Sequence, residues 1–308
     1  MYFPYFRGRQ YELLALRELI QGDLLSSRVI PVVEPIKKPT STFNGTIKLY
    51  AEKNQPIALI LNPAVGDISD GAAVDMVLPS IFGSVIPSVI IGKDVIEAVN
   101  ALSAKGILKS DVLTIITNRD YIDKYSEIFD DTPPKFTMFP DERQLRRAIS
   151  ANKVMFEDKF KKQEKNADYL KQEDEFYSDD HIYFVDEGFA GFGDYSIIGN
   201  EYVESGFAPY AVAIHIVYFA DDNTLRVRHF VSDSNTDIKD VAGKYYEAVM
   251  KLKRWYDAGQ SKQLTTALST LLSHADSGYY PGLPTIKKLS IMHHLELIGK
   301  YLDGGSGE

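Results

Sequence analysis

Cysteine is absent from all 308 residues of this chain. That absence excludes disulfide bonds, thiolate-bound zinc, iron–sulfur clusters and a cysteine nucleophile. Any nucleophile must therefore be a Ser, Thr, Tyr or Asp side chain or an activated water. A chain without cysteine also fits the reducing environment of the cytoplasm.

Long apolar runs and a basic amino-terminal segment are missing as well. No run approaches the length that a membrane-spanning helix needs, and the first nine residues lack the pattern of a secretion signal. We therefore expect a soluble, cytoplasmic protein with no membrane partner. The net charge is −9, so we expect no general binding to duplex nucleic acid, although a local basic patch could still hold a phosphate.

The residues that are present have ordinary globular proportions, 44% hydrophobic and 25% charged. Short apolar runs alternate with segments of helical spacing. The predicted strands cover residues 2–6, 29–34, 57–61, 85–91, 112–117, 135–139, 153–156 and 210–219. The predicted helices between them cover residues 12–20, 46–52, 71–79, 95–104, 119–129 and 142–150.

Strands that alternate with helices at this spacing predict parallel strands joined by right-handed crossovers. We therefore predict an α/β protein of the (β/α)8 TIM-barrel-like class, with an open doubly wound sheet as the alternative. Residues 1–302 are predicted to form one domain, with a long inserted loop over 159–206. A disordered tail is predicted for residues 303–308.

The carboxyl-terminal part carries a different pattern. Residues 220–224 have the composition of a hairpin turn between the apolar runs 210–219 and 225–231. Helical patterns follow over residues 240–256, 261–273 and 285–301. The sequence thus predicts a hairpin followed by helices after the inserted loop.

A glycine-rich element over residues 188–199 combines three closely spaced glycines with Asp194 and Tyr195. It is either a structural turn, in which glycines take positive φ angles, or a ligand loop that presents Asp194 and Tyr195 over the barrel mouth. The sequence leaves both interpretations open.

Several longer motifs resemble a known group of proteins. They are the opening residues 2–19, Ser178-Asp-Asp-His181, Gly193-Asp-Tyr-Ser196, residues 205–218, residues 229–235 and residues 287–296. Together they look like an uncharacterised bacterial family that carries an "sce" locus-tag name. That family is similar to the broader Beta-family proteins, which share a Tyr-x-Pro opening and a Phe-Gly-Asp-Tyr element. The resemblance implies a barrel-like α/β protein of a phage-defence or mobile-element system, with a protein partner from the same operon.

The candidate site follows from barrel geometry, since ligands of (β/α)8 barrels bind at the carboxyl ends of the strands. The predicted catalytic residues are Glu34, Glu157 and Asp194. The predicted ligand-binding residues are Arg7, Arg9, Asn62, Asp120, Lys159 and Tyr195. Arginines, acids and amides at one mouth suit an anionic or phosphorylated small molecule.

Competing interpretations accompany these residues. Glu34 could be a rigid base or metal ligand, or the ion-pair partner of Arg7 on the neighbouring strand. Pro140-Asp141 and Glu157-Asp158-Lys159 have the residue types of the PD-(D/E)xK nucleases, although the segment between them has a helical pattern. Among the histidines, His181 is the best candidate for metal or acid–base work, and His215 has the pattern of a core histidine.

Two functions from different classes remain. The first is a non-catalytic barrel that binds a ligand or partner, for which we expect paired charges at the mouth and an exposed aromatic patch around Tyr177, Phe184, Phe189 and Phe192. The second is a hydrolase that acts on a phosphorylated or nucleotide-like substrate through a divalent metal such as Mg²⁺, held by acids.

Overall fold

The structure is a computed structural model that describes residues 1–68, 73–203, 209–259 and 263–304. The chain forms two compact units. The first contains Met1–Asp23, Ser27–Asp158 and Tyr183–Tyr195, and the second contains Leu24–Ser26, Lys159–Ile182 and Ser196–Glu308. The predicted inserted loop is divided between the two units, with residues 204–206 outside the described part. Residues 305–308 of the predicted disordered tail also lie outside it.

The first unit is built on an eight-stranded parallel sheet. In chain order its strands are β1 (Tyr5–Phe6), β2 (Val32–Val33), β3 (Ile57–Ile60), β4 (Val85–Ile90), β5 (Leu113–Ile115), β6 (Phe136–Phe139) and β7 (Lys153–Phe156). Strand β8 (Asp174–Ser178) belongs to the second unit, and β9 (Gly191–Gly193) is the eighth strand of this sheet. A parallel bridge between Tyr2 and Phe192 nearly closes the sheet into a barrel. The unit therefore has the predicted (β/α)8 TIM-barrel-like fold.

Helices follow the barrel strands, as parallel connections require. They are α1 (Gln10–Gln21), α2 (Ser41–Glu52), α3 (Ala73–Val77), α4 (Val95–Ala104), α5 (Ile122–Phe129) and α6 (Arg143–Ala148). Residues 71–72 of the predicted helix 71–79 lie outside the described residues. A short helix, α7 (Asp180–Tyr183), contains the point at which the chain leaves the second unit for the first.

Alternate residues of the strands fill the barrel with apolar side chains, because side chains along a strand point to opposite faces in turn. The interior cluster contains Phe3, Tyr5, Ile30, Val32, Ala58, Ile60, Ile86, Ile90, Leu113, Ile115, Phe136, Met138, Val154 and Phe156. The barrel is therefore a packed core, and chemistry in this unit is confined to the strand ends and loops.

Glycine makes the last barrel strand possible. A Cβ atom on Gly193 would lie 2.5 Å from the carbonyl oxygen of Phe3, and one on Gly191 would lie 2.6 Å from that of Met1. The amide of Phe3 also donates to the carbonyl of Phe192 at 2.8 Å. Strand β9 thus packs against the amino-terminal segment at a distance that no residue with a side chain allows.

The second unit contains a three-stranded antiparallel sheet in the order β10 (Ala213–Phe219), β11 (Leu225–Val231), β8. The predicted hairpin is confirmed, since the amide of Ala220 donates to the carbonyl of Thr224 at 2.9 Å. The prediction that residues 210–219 form the eighth barrel strand is wrong, because that position belongs to β9. A buried apolar run fits a parallel strand and a strand of a covered hairpin equally well.

Three helices complete the second unit: α8 (Val241–Asp257), α9 (Thr266–Ser277) and α10 (Leu283–Leu302). Within the unit, α8 packs on β11 and α10 packs on β10. Asp240 caps α8 by accepting a hydrogen bond from the amide of Gly243 at 3.0 Å. In the described ranges, no helix has both the length and the apolar character to cross a bilayer.

Candidate functional site

An ion pair between Arg7 and Glu34, which is one of the two interpretations of Glu34, is present at the carboxyl end of the barrel. The guanidinium Nη1 of Arg7 lies 3.0 Å from Oε2 of Glu34, whose side chain is fully buried. The same oxygen accepts from the hydroxyl of Tyr5 at 2.8 Å. The other oxygen, Oε1, accepts from the amides of Ala64 at 2.6 Å and Val65 at 3.3 Å. A carboxylate has about four acceptor positions, so these donors occupy its capacity.

Aromatic rings surround this ion pair. The ring of Tyr195 packs on Tyr5 at 5.0 Å and on Phe156 at 4.8 Å between centroids. The guanidinium carbon of Arg7 lies 5.5 Å from the Tyr5 ring centroid and 5.9 Å from that of Tyr195. Burial raises the pKa of Tyr195 to about 12, and the positive charge of Arg7 opposes part of the shift. The Tyr195 hydroxyl is therefore protonated at neutral pH.

Asp194 lies on the other face of its strand. Its Oδ1 accepts a hydrogen bond from the Tyr2 hydroxyl at 2.7 Å, and Tyr2 stacks on Phe192 with 5.1 Å between ring centroids. Gly191 and Gly193 of the same strand face Phe3 in the barrel interior. Asp194 therefore shares the outer face with Phe192 and does not meet Glu34. The structural interpretation of the glycine-rich element is the one that this geometry favours.

Asn62 joins two barrel strands. Its Nδ2 donates to the carbonyl of Ile90 at 2.7 Å, and its Oδ1 accepts from the amide of Ile90 at 2.9 Å. Both ends of the amide are thus used to hold the end of β3 against the end of β4. This pair of hydrogen bonds to the backbone positions the strand ends.

The remaining predicted residues of the first unit form hydrogen bonds in the turns that follow the strands. The amide of Arg9 donates to Oε2 of Glu12 at 3.2 Å at the start of α1. Asp120 is exposed, and its amide donates to Oδ1 of Asn118 at 2.9 Å. Glu157 is half-buried and accepts from the amide of Asp141 at 3.3 Å. Each of these bonds shapes a turn that follows a strand.

The nuclease-like motif is engaged in ion pairs. Arg146 binds the carboxylate of Asp141 and, at 2.8 Å, that of Glu187, and its guanidinium carbon lies 4.9 Å from the Phe189 ring centroid. Lys159 belongs to the second unit, where its ammonium lies 3.0 Å from Asp180. Within the part of the chain that the structure describes, no three His, Asp or Glu side chains form a group that could hold a metal ion.

The expected aromatic patch is wrong in most of its members. Tyr177, Phe189 and Phe192 are each at most 5% exposed, and Phe184 is half-buried. Phe192 packs between Tyr2 and Phe184 within the first unit. These rings stabilise the fold and do not form a docking surface.

The second unit contains a cavity of about 950 Å³ that the sequence did not predict. Its walls come from the segment after β7, from β10 and from α10. The lining residues include Phe160, Lys162, Glu164, Lys165, Asn166, Tyr169, Tyr210, His215, Lys287 and Ser290. Asn166 fixes one wall by donating to the carbonyl of Ala211 at 2.8 Å.

The charged residues of the cavity wall are mostly cationic. Three lysines, Lys162, Lys165 and Lys287, line it together with one acid, Glu164. The ammonium of Lys162 also lies 3.1 Å from Glu201. In a chain with a net charge of −9, this wall has the opposite sign to the protein as a whole. The cavity thus favours an anion over a cation.

A pair of histidines connects the cavity to a buried acid. His215 lies opposite His229 in the hairpin, and their Nδ1 atoms are 2.8 Å apart. Nε2 of His229 lies 3.3 Å from Oε1 of Glu175, and Glu175 is paired with Lys161 at 3.1 Å. The ring of Tyr169 covers both imidazoles, at 4.7 Å and 4.4 Å between centroids.

Both imidazoles are neutral at physiological pH. Burial lowers the pKa of His215 well below its usual value, and the charges of His229 and Lys287 add to the shift. Burial likewise lowers the pKa of His229, although the Glu175 carboxylate opposes it. A neutral imidazole can accept a proton, which is the property that a general base needs.

The other histidines have structural contacts. Nε2 of His181, the candidate favoured by the sequence, contacts the carbonyl of Asn223 at 2.8 Å, and burial lowers its pKa. His293 lies between Oγ1 of Thr265 and the carbonyl of Val217, at 2.7 Å from each. These contacts hold loops and helices of the second unit in place.

Comparisons with protein-family models, with curated proteins and with solved structures returned no match. The resemblance to the "sce" and Beta-family proteins therefore stays a prediction. The candidate site rests on the geometry of this chain alone.

Proposed function

We propose that this protein binds an anionic, ring-bearing small molecule, such as a nucleotide, in the cavity of the second unit. The observation that carries the proposal is the cationic lining of a cavity of about 950 Å³ in an acidic chain. That volume falls in the range of small-molecule sites. The lysines supply charge for a phosphate, and the rings of Phe160, Tyr169 and Tyr210 supply apolar walls for a base.

The residues at the barrel mouth support the choice of the cavity, because they are already paired with each other. Glu34 has donors on both oxygens, and Arg7 is its ion-pair partner. A charged pair of this kind was expected for a binding protein. Metal-dependent hydrolysis at the mouth, a partner protein from the same operon and a phage-defence or mobile-element setting stay predictions.

Isothermal titration with AMP and with inorganic phosphate, without added metal, tests the proposal. We expect AMP to bind and to raise the melting temperature, because a ligand at 100 times its Kd stabilises the native state by about 2.7 kcal/mol. The double variant Lys165→Met/Lys287→Met should lose most of this effect. Lys171→Met is the matched control, since Lys171 is 80% exposed and does not line the cavity.

Two results would contradict the proposal. One is a wild-type protein that AMP and phosphate neither bind nor stabilise. The other is a loss of binding in Lys171→Met as large as in the double variant, which would indicate a general charge effect.

A further inference from the structure

The hydrogen-bond chain from Glu175 to the cavity fixes where the imidazole protons lie. A carboxylate only accepts, so Nε2 of His229 donates to Glu175 across 3.3 Å. Neutral His229 then has an acceptor at Nδ1, and the 2.8 Å contact makes Nδ1 of His215 the donor. His215, which lines the cavity, is left with a lone pair on Nε2, the ring nitrogen that the contact to His229 does not use.

Burial makes proton uptake at this nitrogen costly, and the neighbouring acid offsets part of that cost. When Nε2 of His215 takes a proton, the proton on its Nδ1 can pass to His229 across the 2.8 Å contact. The positive charge then lies on His229, next to the Glu175 carboxylate and away from Lys287. An imidazolium beside a carboxylate is stabilised, as in a Ser-His-Asp triad. Glu175 is 6% exposed, which keeps water from screening this attraction.

We propose that the cavity is also a catalytic site, in which His215 is the general base for metal-independent hydrolysis of a small-molecule phosphodiester. This inference rests on the proposed anion binding and adds a reaction to it. A phosphodiester carries one negative charge at neutral pH, and Lys287 lines the same cavity as His215. The volume of about 950 Å³ suits a small molecule, while the charge of −9 opposes a duplex.

Hydrolysis of the phosphodiester in this cavity needs neither a metal nor a redox partner. Nε2 of His215 removes a proton from a water molecule, whose oxygen forms a bond to phosphorus. The bond from phosphorus to the leaving oxygen breaks with its electron pair, and that oxygen takes a proton from solvent. The lysines bind the phosphate and stabilise the charge that develops on its oxygens. His229 and Glu175 position the base and receive its positive charge.

Hydrolysis of bis(p-nitrophenyl) phosphate in EDTA tests the reaction, with p-nitrophenyl phosphate as the monoester comparison. We expect the wild type to cleave the diester. His215→Asn should lower kcat by about 100-fold or more, because general bases contribute about 10²- to 10⁴-fold. This variant keeps a donor toward His229 at the Nδ1 position and removes the Cε1 and Nε2 atoms of the ring. His274→Asn, a histidine outside the cavity, should keep full activity and is the matched control.

Glu175→Gln tests the relay through a pH profile. The charged and titratable groups around the two imidazoles are Glu175 and Asp174 on β8, Lys161 and Tyr169 before it, and Lys287 on α10. Removing the Glu175 charge weakens the base, so the acid limb of the kcat profile should move to lower pH and the plateau should fall. A purely structural Glu175 would leave the position of that limb unchanged.

Nitrogen-15 NMR at pH 7 gives a reading that does not depend on turnover. We expect the His215 proton on Nδ1 and the His229 proton on Nε2, and the opposite assignment would overturn the relay. Absence of diester cleavage by the wild type, or equal cleavage by His215→Asn, would overturn the catalytic role. AMP binding by a wild type that does not cleave the diester would overturn this inference alone. Failure of the wild type to bind AMP, or AMP binding that Lys165→Met/Lys287→Met leaves unchanged, would overturn the proposed function as well.

Discussion

Arg7 and Glu34 form a buried ion pair at the carboxyl end of the barrel, with 3.0 Å between Nη1 and Oε2. They follow consecutive strands, β1 and β2, which pair in register. Parallel neighbours bring their carboxyl ends to the same edge, so two residues 27 positions apart meet through the sheet alone.

Breaking this pair should cost far more than removing an exposed one. We expect Arg7→Met to lower the free energy of unfolding by about 3–5 kcal/mol, because it leaves the Glu34 carboxylate buried without its cation. Adding Glu34→Gln should recover much of that loss. Urea unfolding followed by circular dichroism compares the single and the double variant with the wild type.

The matched control is Lys53→Met. Lys53 is 46% exposed and pairs with Asp23, which is 78% exposed, so its loss should change stability by less than about 1 kcal/mol. A double variant no more stable than Arg7→Met would show that the two charges are not coupled.

Seven of the eight barrel strands could be predicted because each is a short apolar run, and six of them are followed by a helical pattern. The eighth could not. Strand β9 is Gly191-Phe-Gly193, with a single apolar residue, and its place depends on a close approach to Phe3 that no local pattern reports. The run at residues 210–219 took its place in the prediction because it is a long apolar run that follows the seventh predicted strand.

The cavity was missed for a different reason. Its walls combine the segment near Tyr169 with Lys287 on α10, and such distant segments meet only through the tertiary fold. The histidine pair could have been found, however. Once the turn at residues 220–224 is set, His215 and His229 are equally far from its centre and must lie opposite each other.

The hydrogen bond from Tyr2 to Asp194 provides a second test of the barrel closure. We expect Tyr2→Phe to lower the free energy of unfolding by about 1.5–3 kcal/mol, because the bond is to a charged acceptor with Asp194 only 4% exposed. Tyr246→Phe, at a position 46% exposed, should change it by less than about 0.5 kcal/mol. Equal effects of the two substitutions in thermal melts would refute a special role for the Tyr2 hydroxyl.

A substitution at Gly193 tests how closely strand β9 packs against the amino-terminal segment. An alanine there would place its Cβ 2.5 Å from the Phe3 carbonyl oxygen, so we expect a loss of about 3 kcal/mol or failure to fold. Gly92→Ala is the control, since nothing lies within 4 Å of the corresponding Cβ position. Soluble yield and melting temperature report both. A Gly193→Ala protein as stable as Gly92→Ala would mean that β9 does not pack against the amino-terminal segment.

The burial of His293 leads us to expect that acid lowers the stability of the second unit. Burial lowers its pKa from 6.5 to about 4. As the pH falls below 6.5, His293 is protonated in the unfolded chain, whereas in the folded chain it stays neutral until about pH 4. The contribution of His293 to the free energy of unfolding is therefore complete above pH 6.5. It is lost as the pH falls toward 4, at up to about 1.4 kcal/mol per pH unit.

The variant His293→Gln cannot titrate, so we expect its stability to fall less steeply over this range than that of the wild type. Trp255 is the single tryptophan, and it lies in α8, so its fluorescence in urea reports unfolding of the second unit. The carboxylates are shared by both proteins, so the difference between the two curves isolates this histidine. Parallel curves between pH 6.5 and about pH 4 would show that His293 is protonated as readily in the folded protein as in the unfolded chain.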